Sequence, residues 1–352
     1  MEIQSHFKKY QVEFVESLQE IFELASRKET YFVLDRTIYS LYKDALPVFP
    51  ADRLFLLDAL ESKKTIETAL AICERMTAMF SKRNTHLVSV GGGITQDITG
   101  FVATSLYRGI PWTFYPSTLL AACDSCIGGK SSLNYKGFKN LLGTFYPPDR
   151  IKIYLPFFET LSMKDYCSGL GEVIKFNVIA GKKGLETIER DMDAILKHDH
   201  KLLSHYIESS LLFKKRFIEE DEFDRGVRVL LNFAHTFGHA FEVSSGYEIP
   251  HGFAVAMGMI TANHISVQRG FLTAGYADRI EKVCAKILKY IDIQNQWFNT
   301  DLIFSAIHKD KKQIGNDITA VLIRKDYTLG VFHDIKEDEI KKAIQHLLKQ
   351  KG

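Results

Sequence analysis

The sequence predicts an α/β domain followed by a mainly α-helical one, and three observations carry that reading. The first 150 residues alternate short β-branched or aromatic runs with stretches of helical spacing. After Pro147-Pro148 the character changes: from about Phe158 to Lys289 apolar residues recur every three or four positions, with almost no alternating runs. A chain of 352 residues also exceeds what one hydrophobic core usually organises.

Taken in order, Tyr31-Phe-Val-Leu reads as a buried strand ending at Asp35. Leu54-Phe-Leu-Leu is a second strand, followed by a helix from about Lys64 to Phe80. Leu87-Val-Ser-Val is a third and runs directly into Gly91-Gly92-Gly93. A helix over Asp97 to Leu106 follows, and Trp112-Thr-Phe-Tyr forms a strand before Pro116. Strands separated by helices of this length imply parallel βαβ units. In the second half Ile318-Thr-Ala-Val-Leu-Ile is a lone strand-like run, and Lys336 to Lys349 reads as an amphipathic helix. Two such domains place the expected site in the cleft between them.

The composition, 46% hydrophobic and 25% charged, is that of a globular protein and argues against disorder. A formal charge of +2 lacks the clustered Lys and Arg excess of a nucleic-acid binder. The N-terminal Met1-Glu-Ile-Gln-Ser-His-Phe-Lys-Lys has no apolar signal core, and no apolar run approaches the ~18 residues of a membrane span. Five irregularly spaced cysteines do not form a disulfide framework. A cytoplasmic setting with a small-molecule substrate is the expectation.

Gly91-Gly92-Gly93, between a strand and a helix, suits a phosphate or dinucleotide cradle, because a backbone without Cβ atoms approaches a pyrophosphate closely. A tight structural turn is the competing reading. Asp35 at a strand end suits either a ribose hydroxyl or a helix N-cap. His235-Thr-Phe-Gly-His239 places two imidazoles on one helix face. With His251 and Glu172 they make one carboxylate and two or three imidazoles, the donor set of a catalytic divalent metal with an open position. Each histidine alone fits a hydrogen-bonded core role; the cluster is what points to metal.

A cation set of Arg108, Lys130, Lys139, Lys175, Lys214 and Arg228 stands out from the solvated remainder. Arg228 and Asn232 are one turn apart, and His235 and His239 continue that face. Polar groups aligned on an otherwise apolar stretch need partners, which an anionic substrate supplies. Cys123-Asp-Ser-Cys126 matches a C-x-x-C pattern, but without a second pair the two read as small buried side chains.

Together these stretches resemble the 3-dehydroquinate synthase family of sugar-phosphate cyclases over nearly the whole chain. The matching blocks are Gly91-Gly-Gly-Ile-Thr-Gln-Asp97, Tyr107-Arg-Gly109, Pro116-Ser-Thr-Leu-Leu120, Asp124-Ser-Cys-Ile-Gly-Gly-Lys130 and Lys139-Asn140. Gly171-Glu-Val-Ile-Lys175, Lys214, Arg228-Val-Leu-Leu-Asn232, His235-Thr-Phe-Gly-His239, His251-Gly252 and Asp310-Lys-Lys312 follow.

The resemblance implies a Rossmann-like NAD-binding domain over residues 1–158 and a helical metal- and substrate-binding domain over 159–352. It assigns Glu172, His235 and His251 to one Zn or Co ion, so that His239 faces substrate. Asp35, Glu61, Lys64, Gly91, Gly92, Gly93 and Asp97 match positions lining the NAD site. Ser117, Thr118, Asp124, Lys139, Thr160 and Leu161 join them. Substrate positions are Lys130, Asn140, Lys175, Lys214, Arg228, Asn232, His239 and one of Lys311 or Lys312. Arg108 matches an arginine reaching the substrate phosphate of the neighbouring subunit, which implies a homodimer.

The implied reaction converts 3-deoxy-D-arabino-heptulosonate 7-phosphate to 3-dehydroquinate and phosphate, through transient oxidation by NAD, β-elimination and an aldol closure. The chain departs from the common pattern at Thr95-Gln96, Ser117, Cys123, Cys126 and Phe253, where a glutamate is usual. These departures keep two alternatives open. One is a related cyclase acting on sedoheptulose 7-phosphate or an aminated analogue. The other is a polyol dehydrogenase of the same fold, which would release NADH.

Overall fold

The computed structural model describes residues 1–79, 82–136, 138–309 and 317–349. The chain divides into two compact units, Met1–Leu161 with Lys215–Phe223, and Ser162–Lys214 with Asp224–Gly352. Among the described residues no helix is long and apolar enough to cross a membrane.

In the first unit the strands are β1 (Glu2–Gln4), β2 (Lys9–Phe14), β3 (Thr30–Asp35), β4 (Leu54–Leu57), β5 (His86–Gly91), β6 (Trp112–Pro116), β7 (Lys130–Tyr135), β8 (Phe138–Phe145) and β9 (Arg150–Ile153). Seven of them form one sheet in the order β1-β2-β9-β6-β5-β3-β4, and β7 and β8 form a separate antiparallel hairpin. Only β1 runs antiparallel to its neighbour in the large sheet. Every residue of β6 and nearly every one of β3 and β5 is buried. Short continuous apolar runs are what a parallel sheet covered on both faces requires. The helices are α1 (Gln19–Ser26), α2 (Arg36–Leu41), α3 (Ile66–Thr77) and α4 (Gly93–Ser105).

Strand order locates the ligand side of this sheet. The chain goes from β3 outward to β4, then crosses back past β3 to β5 and continues to β6. The carboxyl ends of β3 and β5 therefore flank a topological switch point, where open α/β sheets bind ligands. Asp35 and Gly91 are the last residues of those two strands.

The sequence reading placed the start of the following helix at Asp97, but α4 begins four residues earlier, at Gly93. β1, β2, β9 and the β7–β8 hairpin were not anticipated. The hairpin segments Lys-Ser-Ser-Leu-Asn-Tyr and Phe-Lys-Asn-Leu-Leu-Gly-Thr-Phe are too polar and too exposed to show a clean strand period.

The second unit contains α5 (Met163–Ile179), α6 (Lys182–Ile195), the first part of α7 (His200–Glu220), which passes into the first unit at Lys215, α8 (His235–Ser244), α9 (His251–Gln268), α10 (Ala274–Leu288), α11 (Thr300–Lys309) and α12 (Glu337–Lys349). The strand β10 (Ile318–Ile323) is not lone: it pairs antiparallel with β11 (Leu329–Ile335). The polar residues His333 and Asp334 had hidden β11. α9 is apolar on all sides and almost wholly buried, as a helix surrounded by others must be. It packs against α5, α8, α10 and α12.

Glycines set how closely the neighbours approach α9. A Cβ on Gly171 of α5 would lie 2.1 Å from the Gly252 carbonyl oxygen of α9, and a Cβ on Gly258 would lie 2.2 Å from the Ala234 carbonyl. Helix backbones thus touch on two sides of α9. The residues immediately after Gly171 and before Gly252 are Glu172 and His251.

Candidate active site

Glu172, His235 and His251 converge. The Glu172 Oε1 atom lies 3.3 Å from His235 Nε2 and 3.2 Å from His251 Nε2. A tetrahedral ion with bonds of about 2.0–2.1 Å has ligand atoms roughly 3.3 Å apart, so the spacing suits one small divalent cation. Tautomers agree as well. His235 Nδ1 lies 3.0 Å from the Phe233 carbonyl oxygen and His251 Nδ1 lies 3.4 Å from Glu242 Oε1. With each Nδ1 turned outward to an acceptor, both Nε2 atoms are turned toward the Glu172 carboxylate, the side on which they could ligate an ion.

The electrostatics follow from burial and one lysine. Glu172 is fully buried, which opposes its charge. The Lys175 ammonium nevertheless holds it well below the usual carboxylate range. Lys175 Nζ sits 2.5 Å from Glu172 Oε2 and donates to the Leu231 carbonyl at 3.3 Å. Burial, reinforced by Lys175, pushes the His235 imidazole down to about 3, so it is neutral and ready to act as a ligand. His251 is buried too, but the flanking carboxylates Glu172 and Glu242 raise it to about 10.

His239 stands beside this triad, its ring centroid 5.2 Å from that of His235 and its Nε2 4.0 Å from Glu242 Oε2. The expected continuous helical face from Arg228 to His239 is not realised. Val227–Asn232 is a short 3-10 helix, Phe233 is extended, and Ala234 adopts a left-handed φ of 71° before α8 starts at His235. The break turns His235 back toward Glu172. Lys175, Lys214 and Arg228 are all buried cations, and Asn232 is half-buried. Lys311 and Lys312 lie outside the described residues.

In the first unit the glycine run closes β5 and opens α4. Gly92 is the N-cap residue, and no side chain caps the helix start, which leaves its first N–H groups without an intrahelical partner. A Cβ on Gly92 would lie 2.8 Å from Thr118 Cγ2, whereas one on Gly93 would meet nothing closer than 3.9 Å. Ser117 is buried, and its N–H donates to the Gly91 carbonyl at 2.8 Å. Asp124 lies in a single π-helical turn, Ala121–Ser125. Such turns recur at functional sites. The unusual Gln96 exchanges two hydrogen bonds with Ser125 beside it, at 2.7 Å each. Asp35 caps α2, accepting from the Thr37 N–H at 2.7 Å, so the N-cap reading holds for one of its oxygens.

A second cluster joins residues that the sequence had assigned to two ligands. Lys64 Nζ lies 2.5 Å from Asp97 Oδ2 and 2.7 Å from Asn140 Oδ1. Burial raises the Asp97 carboxyl above its usual range, against the pull of Lys64 and of Ser132. Lys139 lies 3.6 Å from Glu61. Lys130 is exposed at the start of β7, its Nζ 5.9 Å from the Phe145 ring centre. Thr160 and Leu161 end the separate 3-10 turn Leu155–Thr160. Arg108 is exposed on a turn in which Tyr107, Arg108 and Gly109 all have positive φ, at 52°, 67° and 116°. Two consecutive non-glycine residues in that region carry strain. Cys123 and Cys126 are buried and not disulfide-bonded.

Sequence reasoning missed Glu242, Ser132 and Asn134. The only signal for Glu242 was its position one turn beyond His239.

The sequence profile described as 3-dehydroquinate synthase N-terminal matches residues 54–168, and the one described as 3-dehydroquinate synthase C-terminal matches residues 169–313. The chain belongs to the 3-dehydroquinate synthase family. It is 34% identical over 329 residues to the 3-dehydroquinate synthase of Clostridium tetani, spanning 93% of this chain and 87% of that one. Against the 3-dehydroquinate synthase of Dictyoglomus turgidum the identity is 34% over 317 residues, 90% and 88% of the two chains. Solved structures of other enzymes share the 3-dehydroquinate synthase fold. The 2-epi-5-epi-valiolone synthase of Streptomyces hygroscopicus, solved with NAD+ and Zn2+, superposes with a TM-score of 0.85 at 24% identity, covering 97% of both chains. A 2-deoxy-scyllo-inosose synthase complexed with carbaglucose-6-phosphate, NAD+ and Co2+ gives 0.85 at 23%, covering 98% of this chain and 99% of that one.

Proposed function

We propose that this chain converts 3-deoxy-D-arabino-heptulosonate 7-phosphate to 3-dehydroquinate and phosphate in the cytoplasm, using NAD and one divalent metal. The observation that carries the reading is the buried Glu172 carboxylate set 3.3 and 3.2 Å from the Nε2 atoms of His235 and His251, in a chain of this family. Glu172, His235 and His251 hold the metal, and the first domain (1–158) binds NAD at the glycine run. When bound, NAD accepts and returns a hydride, and the metal supplies Lewis-acid polarisation of the reacting oxygen.

The chain's own groups bind and orient the substrate. Lys130, Lys175, Lys214 and Arg228 complement its carboxylate and phosphate, and buried cations hold an anion in one pose more strongly than solvated ones. Lys175 also keeps Glu172 ionised. Asn140, Asn232 and His239 orient hydroxyl groups. The cofactor is regenerated within each turnover, so no net redox change accompanies release of phosphate.

Incubation with NAD, Zn2+ or Co2+ and the heptulosonate phosphate tests this. Phosphate release matched by 3-dehydroquinate, identified by mass, is the expected result. Turnover of sedoheptulose 7-phosphate instead moves the chain to the alternative cyclase class, and stoichiometric NADH moves it to the dehydrogenases. We infer further that the chain acts as a homodimer in which Arg108, displayed on its strained turn, serves the partner's substrate phosphate. Mixed dimers of Arg108→Ala and Glu172→Gln chains are then expected to recover activity that neither variant has alone.

A further inference from the structure

The Asn134 side chain bonds to Glu61, on the cofactor side of the β7–β8 cluster, and to Asn140, on its substrate side. Its Nδ2 donates to Glu61 Oε1 at 2.8 Å and to the Glu61 carbonyl at 3.2 Å. Its Oδ1 accepts the Asn140 backbone N–H at 3.0 Å, and its own N–H donates to the Lys64 carbonyl at 2.8 Å. Only one amide orientation satisfies both ends, since Glu61 offers acceptors and Asn140 a donor. Asn140 itself has a left-handed φ of 53°. That conformation is costly for a residue with a side chain unless its surroundings hold it. The Asn140 Oδ1 atom is taken by Lys64 at 2.7 Å and by the Ser132 hydroxyl at 2.9 Å. The Asn140 Nδ2 group is thereby presented as a donor.

We propose that Asn134 is a positioning residue that couples NAD binding to substrate binding, by tying Glu61 and Lys64 on the cofactor side to Asn140 on the substrate side. The inference rests on the proposed function, in which Glu61 and Lys64 line the NAD site and Asn140 meets substrate. Anything that fixes the Glu61–Lys64 turn then also fixes the strained Asn140 backbone, so NAD prepares the donor that substrate uses. By linkage the effect is reciprocal.

The two ends of the amide can be tested separately. In metal-loaded protein, Asn134→Ala is expected to raise the NAD Kd and the substrate KM, each about tenfold, as for loss of one hydrogen bond to a charged or strained partner. Asn134→Asp keeps the acceptor for the Asn140 N–H but opposes Glu61. It is expected to raise the NAD Kd at least as far, while KM measured at saturating NAD stays within about threefold. Metal Kd should change less than twofold in both variants. Equal changes of Kd and KM in the Asp variant, no change in the Ala variant, or a parallel loss of metal affinity each overturn the proposal. Should the Ala variant not fold, the ratio of the two changes in the Asp variant decides alone. Absence of turnover by the parent protein would strike the proposed function instead, and the NAD Kd arm would still read the Asn134–Glu61 half.

Discussion

Glu242 Oε1 lies 3.4 Å from His251 Nδ1, on the ring edge opposite the nitrogen that faces Glu172. A carboxylate in that place fixes both the tautomer and the tilt of the imidazole and makes Nε2 a better donor to a cation. It comes from α8, whereas His251 opens α9. The Phe253 side chain is fully buried.

Glu242→Ala is therefore expected to weaken Zn2+ binding by roughly 10- to 100-fold with the three ligands intact. Competition against a chromophoric chelator measures it. An unchanged metal Kd would show that His251 is oriented by packing alone.

The triad also depends on backbone contact between helices. A Cβ on Gly252 would lie 1.7 Å from the Ser168 carbonyl oxygen of α5. No flexible side chain can absorb that overlap, so Gly252→Ala must part α5 from α9 and carry His251 away from Glu172. A loss of about 3 kcal/mol in urea unfolding is expected, at the upper end for overpacking, together with weaker metal binding. Gly275 in α10 has nothing within 4 Å of its built Cβ. Gly275→Ala serves as the control and is expected to be neutral or stabilising by about 0.5 kcal/mol.

Lys175 and Glu172 are 3% and 0% exposed as side chains, so the two opposite charges face each other out of reach of water. Glu172→Gln keeps the volume but leaves a buried ammonium without its counter-charge, at a cost of about 3 kcal/mol. Replacing both, as Glu172→Gln with Lys175→Met, is expected to recover most of that stability while metal binding stays lost. If the double variant were no more stable than the single one, Lys175 would have another compensating partner.

These cases separate what the sequence made legible from what it did not. β3, β5 and β6 were readable because a strand buried on both faces leaves an unbroken apolar run. The convergence of Glu172, His235 and His251 was readable because the three belong to distinctive local strings. What stayed hidden depends on long-range geometry. The Asn134–Glu61 bond spans 73 positions and lies on a hairpin too polar to read as strands. The break at Phe233-Ala234 carries neither glycine nor proline to announce it, and a helical spacing ran straight through. The partner strand β11 was masked by two polar residues on its exposed part.

The pH dependence of stability follows from the other end of α9. Arg269 closes on Glu339 of α12 with both nitrogens, Nε to Oε1 at 2.6 Å and Nη2 to Oε2 at 2.7 Å, and reaches Asp334 Oδ1 at 2.7 Å. Glu339 Oε2 also accepts the Lys336 N–H at 2.9 Å, capping α12. The hydrogen bonds from Arg269 lower the Glu339 carboxyl below its ordinary value of 4.5. A carboxyl lowered on folding adds stability that is complete above 4.5 and is lost as pH falls through the lowered folded value. Arg269→Met is therefore expected to unfold about 1 kcal/mol more easily than the parent at pH 7. The gap should narrow only below pH 4.5, leaving a pH-independent remainder from lost packing. Urea titrations of both proteins between pH 7 and pH 3, with amide exchange on α12 as the local readout, measure it. A gap of constant size across that range would mean that Arg269 holds α12 by packing and by its bond to the Asp334 carbonyl, not by charge.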